Sequence, residues 1–309
     1  MFDSIPAMPT TLKFSRWLDL SQLPGGWEIS RVAVDWKGKP LLLVEEGKPP
    51  YPGRNASIEA QVAWMNTPPK GCHLVYWEGA SRRALTFDNS SRLFSAFVQQ
   101  FDDGWLLSGA RSGGADVCDK RGQTKRTLDL GDAIRDVQTT ASGRIWVSYF
   151  DEGVFGTGIG QNGLVCFNSL GRPIFKYAEF AEQHQLPFIH DCYAMNVAGE
   201  EEIWISYYSD FPLVAMRNFQ LDRIWKEFGC ISDAFAIHDG AVIFPKCYTR
   251  SEGKSQLLRR SLSSATEAEI VNAVDERGMA IDGLFTAAVR GADFYLLTDS
   301  ALYKLQMES

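Results

Sequence analysis

Residues 134–177 read IRDVQTTASGRIWVSYFDEGVFGTGIGQNGLVCFNSLGRPIFKY and contain four short runs of apolar, β-branched or aromatic residues. Polar turns that carry glycine separate these runs. Runs of this composition between turn residues are typical of β-strands. The stretch therefore predicts four consecutive antiparallel strands, and the rest of the chain can be compared with it.

The strand–turn–strand unit that opens this stretch recurs along the chain. Further copies begin at residues 29, 94, 189, 231 and 282. A glycine stands in the turn of every copy, as tight hairpins require: Gly38, Gly104, Gly143, Gly199, Gly240 and Gly291. Most copies are followed by a second pair of strands, which gives a repeat of about 50 residues, a spacing found in β-propeller blades.

The repeats predict an all-β fold, a six-bladed β-propeller of four-stranded antiparallel blades in one domain spanning residues 1–309. The predicted blades span residues 29–88, 94–130, 134–180, 189–228, 231–274 and 282–307. The last unit has only three strands, whereas the strand at residues 11–19 has no neighbour of its own. We expect this N-terminal strand to complete the last blade and close the ring, because closure removes exposed sheet edges.

These four-strand units resemble the blades of six-bladed β-propellers of the NHL and gluconolactonase-like kind. The resemblance covers nearly the whole chain. It implies that the inner strands begin at one face around a central channel. It also implies a divalent-metal site at that face, held in the lactonases by a Glu, an Asn and an Asp. Asp282-Gly283-Leu284 is similar to the Asp-Gly-Leu motif of that family, while Arg31 stands in the place of the Glu.

Composition excludes several classes of function. A net charge of −7 with dispersed acidic residues argues against a nucleic-acid partner, which needs a basic face. The six cysteines contain no CxxC pair, so zinc-site spacing is absent. The chain has neither a secretory signal at its start nor an apolar run of membrane-spanning length, which predicts a cytoplasmic protein without a membrane partner.

Aligning the starts of the inner strands predicts a polar ring at the channel mouth. Asp136, Asp191 and Asp233 take the same place in three successive units, with Asp282 within one position. The neighbouring ring residues are Arg31, Arg135 and His190. The ends of the second strands should reach the same face and add Glu45, Asp151, Tyr208 and Lys246.

Three interpretations of these carboxylates stay open from the sequence. Each Asp could cap turn N–H groups. Asp136, Asp191 and Asp233 could instead hold a divalent cation such as Ca²⁺, although no cofactor motif is present. In the third interpretation, His190 is the base of a hydrolytic site and Asp191 or Asp233 orients it.

The sequence favours a non-enzymatic propeller that binds a protein partner or a small ligand at the central mouth. The alternative is a metal-assisted hydrolase of the lactonase or esterase type. A third hypothesis has Arg31, Arg135 and Lys246 gripping an anionic substrate. Two insertions, residues 46–71 and 151–163, should form the rim, with helices expected at residues 57–65 and 178–184. Gly158–Gly163 matches GxGxxG but leads into a strand, so it predicts a flexible rim loop and no nucleotide site.

Overall fold

The computed structural model describes residues 10–49, 52–53, 56–65, 67, 69–87, 97–110, 113–226, 228–229, 232–245, 256–263, 268–281 and 286–306. Within these ranges the fold is all-β, with short helices in the connections. Lys246 and Asp282, which the sequence placed at the mouth, lie outside the described residues.

Most of the sheets have four antiparallel strands in chain order, so that each strand pairs with the one before it. One sheet contains β2 (Trp27–Val34), β3 (Pro40–Glu46), β4 (Gly71–Glu78) and β5 (Ser81–Thr86), and the next contains β6 (Phe97–Phe101), β7 (Gly104–Ser108), β8 (Gly114–Cys118) and β9 (Thr124–Asp129). The following two contain β10 (Ile134–Thr139), β11 (Ile145–Tyr149), β12 (Leu164–Phe167) and β13 (Pro173–Lys176), and then β14 (Asp191–Val197), β15 (Glu202–Tyr208), β16 (Leu213–Arg217) and β17 (Gln220–Trp225).

The remaining sheet has eight strands and contains both ends of the described chain. Its strands are β18 (Ala236–His238), β19 (Ala241–Pro245), β20 (Leu257–Ser261), β21 (Glu269–Val274), β22 (Thr286–Arg290), β23 (Asp293–Leu297), β24 (Ala301–Leu305) and β1 (Thr11–Asp19). Their spatial order is β18-β19-β20-β21-β1-β24-β23-β22. As expected, β1 pairs antiparallel with β24, from Phe14 opposite Leu305 to Asp19 opposite Ala301. A short parallel pairing of β1 with β21, which the sequence did not predict, joins the two halves of this sheet.

The connections contain α1 (Ile58–Met65), α2 (Asp151–Val154) and α3 (Tyr177–His184). The first and third agree with the predicted helices to within one residue. The glycine-rich insertion, predicted as a flexible rim loop, contains α2 and a 3₁₀ turn at Ile159–Asn162. Among the described residues, no helix is both long and apolar enough to cross a membrane.

The apolar core lies between successive sheets, which explains the continuous hydrophobic runs. In β3, Leu41 and Leu43 pack against the sheet of β6–β9, whereas Leu42 and Val44 face β22–β24 and β1. Alternate residues of a strand point to opposite faces. A sheet covered on both faces therefore needs apolar residues at every position, not at every second one.

The first strands of the sheets, which we call the inner strands, surround a central cavity. Strand β2 contacts β6, β6 contacts β10, β10 contacts β14, and β22 contacts both β2 and β14. Strand β18 joins the set through a hydrogen bond from the Ile237 N–H to the Gly291 carbonyl, 3.1 Å. The cavity that they enclose is the feature that the rest of the fold positions.

One end of this channel is closed by hydrogen-bonded side chains, and we call it the turn end because the inner strands finish there. It consists of Gln99, Gln138, Asn196 and Arg290, all buried. The Asn196 amide donates to the carbonyls of Phe235 and Gly291, at 2.8 and 3.0 Å, and accepts from the Gly291 N–H at 2.6 Å. These bonds connect inner strands of different sheets, which are not paired with each other as neighbouring β-strands here.

Gln138 and Arg290 complete the turn end in the same way. Gln138 donates to the Met195 carbonyl at 3.0 Å and accepts from the Val197 N–H at 2.9 Å. Arg290 donates to the Thr139 carbonyl at 2.5 Å and, more weakly, to Gln99 Oε1 at 3.5 Å. Burial lowers the pKa of Arg290 to about 10. The polar groups at this end are thus used to hold neighbouring sheets together.

Candidate functional site

The central cavity has a volume of about 510 Å³ and is lined by residues of β2, β6, β10, β14 and β22 and by the segment before β18. Polar and apolar atoms share its wall about equally, and Val32, Phe97, Val137, Met195 and Ala287 are among the apolar lining residues. Polar side chains enter it near the starts of the inner strands, which we call the mouth end. The mouth end is defined by Arg31, Arg135, Asp136, Asp191 and Asp233.

Arg31 presents a guanidinium to the cavity without a hydrogen-bond partner among the described residues. It lies over the Phe97 ring, with the Cζ atom 4.1 Å from the ring centroid. Burial lowers its pKa, and the nearby Asp136 charge acts in the opposite direction. No hydrogen bond joins this guanidinium to any part of the chain that the structure describes. A desolvated guanidinium with free donors favours an anionic group of a ligand.

Arg135 lies among the three carboxylates that the sequence predicted as a ring. It forms an ion pair with Asp233, donates from Nε to the Tyr193 carbonyl at 3.4 Å, and packs over the Phe150 ring. Its charge also acts on Asp136 and Asp191, where it favours the ionised carboxylates. The cation found between these carboxylates is thus a guanidinium of the protein itself.

Asp136 is held by its own strand. Its carboxylate accepts from the Val137 N–H at 2.8 Å and from the Gln138 amide at 2.9 Å. Burial raises its pKa, while the Gln138 hydrogen bond and the Arg31 charge lower it. Gln138 therefore connects the mouth end to the turn end.

Asp191 has an unsatisfied oxygen. Its Oδ1 atom is buried and has no hydrogen-bond partner among the described residues. Burial raises its pKa, and the charges of Asp151, Glu152 and Asp233 add to the shift while Arg135 opposes it. A buried acceptor without a donor destabilises the fold by about 1–3 kcal/mol. A perturbed carboxyl group of this kind in a cleft is a candidate functional group.

The structure corrects the alignment of the predicted ring. Counting back from the hairpins, Asp136 pairs with Ser148 three residues before Thr139, and Ala194 pairs with Ser206 three residues before Val197. Ala194, and not Asp191, is therefore the counterpart of Asp136. A β-bulge between Asp191 and Ala194 and a longer inner strand move Asp191 toward the outer rim. Asp191 is accordingly absent from the cavity wall, whereas Tyr193 is part of it.

A series of rings, which we call the aromatic path, runs from the cavity wall to the rim. It consists of Tyr193, Phe211, Tyr208, His190 and Phe155, with centroid distances between successive rings of 6.0, 5.5, 5.9 and 5.6 Å. Phe155 and Tyr208 are exposed, at 71% and 46% of their surface. His190, predicted as a catalytic base, thus has aromatic neighbours, and no hydrogen bond to Asp191 occurs in this part of the structure.

Two further predicted residues have other roles. Glu45 forms an ion pair with Lys48 at 3.2 Å, with little exposure of either side chain, and it does not line the cavity. Asp151 is the first residue of α2, where its carboxylate accepts from the Glu152 N–H at 2.9 Å. Asp151 reaches the site through its charge on Asp191.

The described residues contain no group of three or more His, Cys, Asp and Glu side chains arranged to hold a metal ion. Asp136, Asp191 and Asp233 are separated by Arg135 and by the register difference between their strands. The divalent-metal site stays a prediction that also involves Asp282, which lies outside the described ranges.

Sequence reasoning placed Tyr208 at the mouth but missed Phe97, Tyr193 and Phe211 as residues of the site. Phe97, Phe150 and Tyr193 line the cavity, and Phe211 extends it. It also missed Gln138 and Asn196, which occupy equivalent positions one residue before the last pair of their hairpins. Neither simple count aligns these two amides. They lie five and three residues before the turn glycines Gly143 and Gly199, and four and seven residues after the Ile at their strand starts.

Comparisons with known proteins support the fold. The chain resembles a solved streptogramin B lyase, with 9% identity, a TM-score of 0.50, and coverage of 96% of this chain and 97% of that one. It is also similar to a gluconolactonase of Xanthomonas campestris (10% identity, 100% and 99% coverage, TM-score 0.47) and to a PQQ-bound aldose sugar dehydrogenase of Streptomyces coelicolor (10% identity, 93% and 100% coverage, TM-score 0.47). The fold is β-propeller-like.

Comparison of the sequence alone identifies fewer similar proteins than comparison of the structure. The YxzG family matches residues 164–305, which is under half of the 309-residue chain. No curated protein matches the sequence. At identities this low the structural likeness concerns the fold alone, so function has to be argued from the site.

Proposed function

We propose that this protein is a non-enzymatic β-propeller that binds a small ligand in its central cavity, with an anionic group of the ligand paired to Arg31. The supporting observation is a cavity of about 510 Å³, with both apolar and polar walls, that contains a guanidinium without a hydrogen-bond partner among the described residues. Ligand cavities are typically about 300–1,000 Å³, apolar, and equipped with a few placed polar groups. A carboxylate would form two charge-assisted hydrogen bonds with Arg31.

The proposed architecture is a single domain of six blades around this cavity. The eight-stranded sheet then counts as two blades, β18–β21 and β22–β24 with β1, which the parallel pairing of Thr11–Lys13 with Asn272–Val274 connects. Six apolar clusters among the described residues, each between two successive blades, support this count. Ring closure by the N-terminal strand follows from the same assignment.

Binding of benzoate, compared with its uncharged counterpart benzamide, tests the proposal by calorimetry or NMR titration. We expect benzoate to bind better than benzamide, and Arg31→Gln to weaken benzoate at least tenfold, because the charge-assisted bonds contribute about 1.5–3 kcal/mol. Arg121→Gln, which removes the same charge from an exposed outer turn, serves as the matched control. Equal binding of the two probes, or equal binding by the two variants, would contradict the proposal.

A protein partner at the same end is the second form of this proposal. It is supported by the exposed rings of Phe155 and Phe188, at 71% and 53% of their surface. Exposed aromatic residues are enriched at protein interfaces. A partner that binds equally well in the presence of saturating benzoate would not use the cavity.

The alternative is a metal-assisted hydrolase of the lactonase or esterase type, with His190 and Asp191 as catalytic residues and Asp136, Asp191 and Asp233 as metal ligands. The raised pKa of Asp191 and its unpartnered oxygen support it. Ester hydrolysis that EDTA abolishes and Ca²⁺ restores is the expected result, and absence of hydrolysis with added Ca²⁺ overturns this alternative. A cytoplasmic location stays a prediction from the sequence.

A further inference from the structure

The aromatic path begins inside the cavity and ends at the rim. Tyr193 lines the cavity, and its ring is stacked on Phe211, with an interplanar angle of 5°. Tyr208 and His190 extend the path outward to Phe155. A ligand held in the cavity could therefore continue along a row of ring faces toward solvent.

The charges beside this path are mostly negative. Asp191 is the cross-strand partner of Tyr208 and precedes Tyr193 by two residues. Asp151, Glu152 and Asp233 are close enough to act on Asp191, and the opposing charge is that of Arg135. Four carboxylates face one guanidinium here, so the path lies in a region that attracts cations.

Aromatic rings already hold cations at this end of the molecule. The Arg31 guanidinium lies 4.1 Å from the Phe97 centroid, and the Arg135 guanidinium lies 4.8 Å from that of Phe150. By contrast, no Lys or Arg of the described chain lies over Tyr193, Phe211, Tyr208 or Phe155. These rings are available for a cation that the protein does not supply.

We propose that the aromatic path and Asp191 form a subsite for a protonated primary amine on the small ligand that the cavity binds. The ammonium N–H groups would donate to the Asp191 carboxylate, which is partly exposed and accepts no hydrogen bond from the described residues, while the ammonium charge lies against the Tyr208 and Tyr193 rings. This inference rests on the proposed function in one respect, that the remainder of the ligand lies in the cavity. With Arg31 at the other end, the ligand class is a small molecule that carries both an amine and an anion.

A primary amine explains the site better than a quaternary one. A trimethylammonium group would satisfy the rings but would leave the Asp191 carboxylate without a donor, because it has no N–H. A partly buried carboxylate gains most from a donor that carries charge. The geometry thus assigns the ring faces to the charge of the amine and the carboxylate to its N–H groups.

Titration of the full chain with butylamine, protonated at pH 7, and with butan-1-ol, its uncharged counterpart, tests this subsite by NMR. We expect butylamine to bind more tightly than the alcohol. Asp191→Asn should weaken butylamine at least tenfold, and Tyr208→Leu by about three- to tenfold, as expected for the loss of one cation–π contact. Thermal unfolding of each variant verifies that it is folded.

Matched controls remove the same groups elsewhere. Asp222→Asn removes a carboxylate from the exposed outer strand of the same sheet, and Trp36→Leu removes an exposed ring from the hairpin turn at residues 35–39. Both should leave butylamine affinity unchanged. Equal affinity for amine and alcohol, or full retention of amine binding in Asp191→Asn and Tyr208→Leu, would overturn the proposal.

Two other results separate this inference from the proposed function. Loss of benzoate binding in Arg31→Gln with intact butylamine binding would support both sites independently. Butylamine binding that depends on Asp191 without any benzoate binding would sustain the amine subsite and reject the anion site. Binding of a lysine-rich peptide without binding of butylamine would assign the path to a protein partner and overturn the small-molecule form.

Discussion

The two ends of the channel each contain a largely buried arginine among other polar side chains but use these groups differently. At the turn end, Gln138, Asn196 and Arg290 donate to or accept from the backbone of neighbouring inner strands. At the mouth end, the Arg31 guanidinium and Asp191 Oδ1 have no such partners among the described residues. The hydrogen bonds of the turn end hold the sheets together, whereas the Arg31 guanidinium and the exposed part of the Asp191 carboxylate stay available to a ligand.

This difference distinguishes structural from functional polar groups in a fold that offers many of both. Buried polar groups in native proteins are almost always hydrogen-bonded, so an unpartnered one requires an explanation. Functional sites often retain groups that weaken the fold. On this account, substituting Asn196 or Arg290 at the turn end reduces stability and leaves ligand binding at the mouth intact. Substituting Arg31 or Asp191 at the mouth end weakens ligand binding without reducing stability.

The largest expected effect is at Asn196. Asn196→Leu, which nearly conserves volume, leaves the Phe235 carbonyl and the Gly291 N–H without their partner and removes one of the two hydrogen bonds to the Gly291 carbonyl. We expect the free energy of unfolding to fall by about 3 kcal/mol in urea titrations, since each unsatisfied buried group destabilises by about 1–3 kcal/mol. The control is Asn272→Leu, an exposed site on β21. Equal losses for the two variants would show that the turn end is not a structural network.

A smaller effect of opposite sign is expected at Asp191. Its folded-state pKa is raised above the ordinary value of 3.8, so the folded protein retains a proton that the unfolded chain has lost. The desolvation penalty on Asp191 is therefore absent below pH 3.8 and appears as pH rises through the folded pKa. We expect Asp191→Asn to be more stable than the wild type at pH 7, with the difference shrinking as pH falls.

Urea titrations at several pH values from 3.5 to 7 measure this difference. Asp222→Asn, on the exposed face of β17, removes the same charge without a buried oxygen and should show no such trend. A difference between Asp191→Asn and wild type that is independent of pH would contradict the assignment of the shift to burial of Asp191.

Much of the fold could be predicted from the sequence because local chemistry specifies it. The run from Leu41 to Val44 is continuous because its sheet is covered on both faces, and the turn glycine Gly38 adopts a φ of +73°. The pairing of β1 with β24 was predictable because an unpaired strand at each end implies a partner. The parallel contact of Thr11–Lys13 with β21 was not, because it depends on how two sheets meet in space.

The site was predicted less well than the fold. Arg31, Arg135, Asp136 and Asp233 do line one cavity, but Asp191 was placed three residues out of register. A bulge leaves no distinct sequence signal, and an alignment from strand starts carries its error into every residue that follows. The aromatic path was invisible for another reason, since Phe155, Tyr193 and Phe211 come from three separate segments.

The free energies of unfolding of Arg31→Met and Arg290→Met test the central claim most directly, since both arginines lie along one channel. Each substitution removes a desolvated guanidinium, so the stability gained by avoiding its desolvation is common to both variants and cancels. The difference between their free energies of unfolding then reports the hydrogen bonds of Arg290 to Thr139 and Gln99. We predict that Arg290→Met is less stable than Arg31→Met by about 2 kcal/mol. Equal stabilities, or a less stable Arg31→Met, would contradict the division of the channel into a structural end and a binding end.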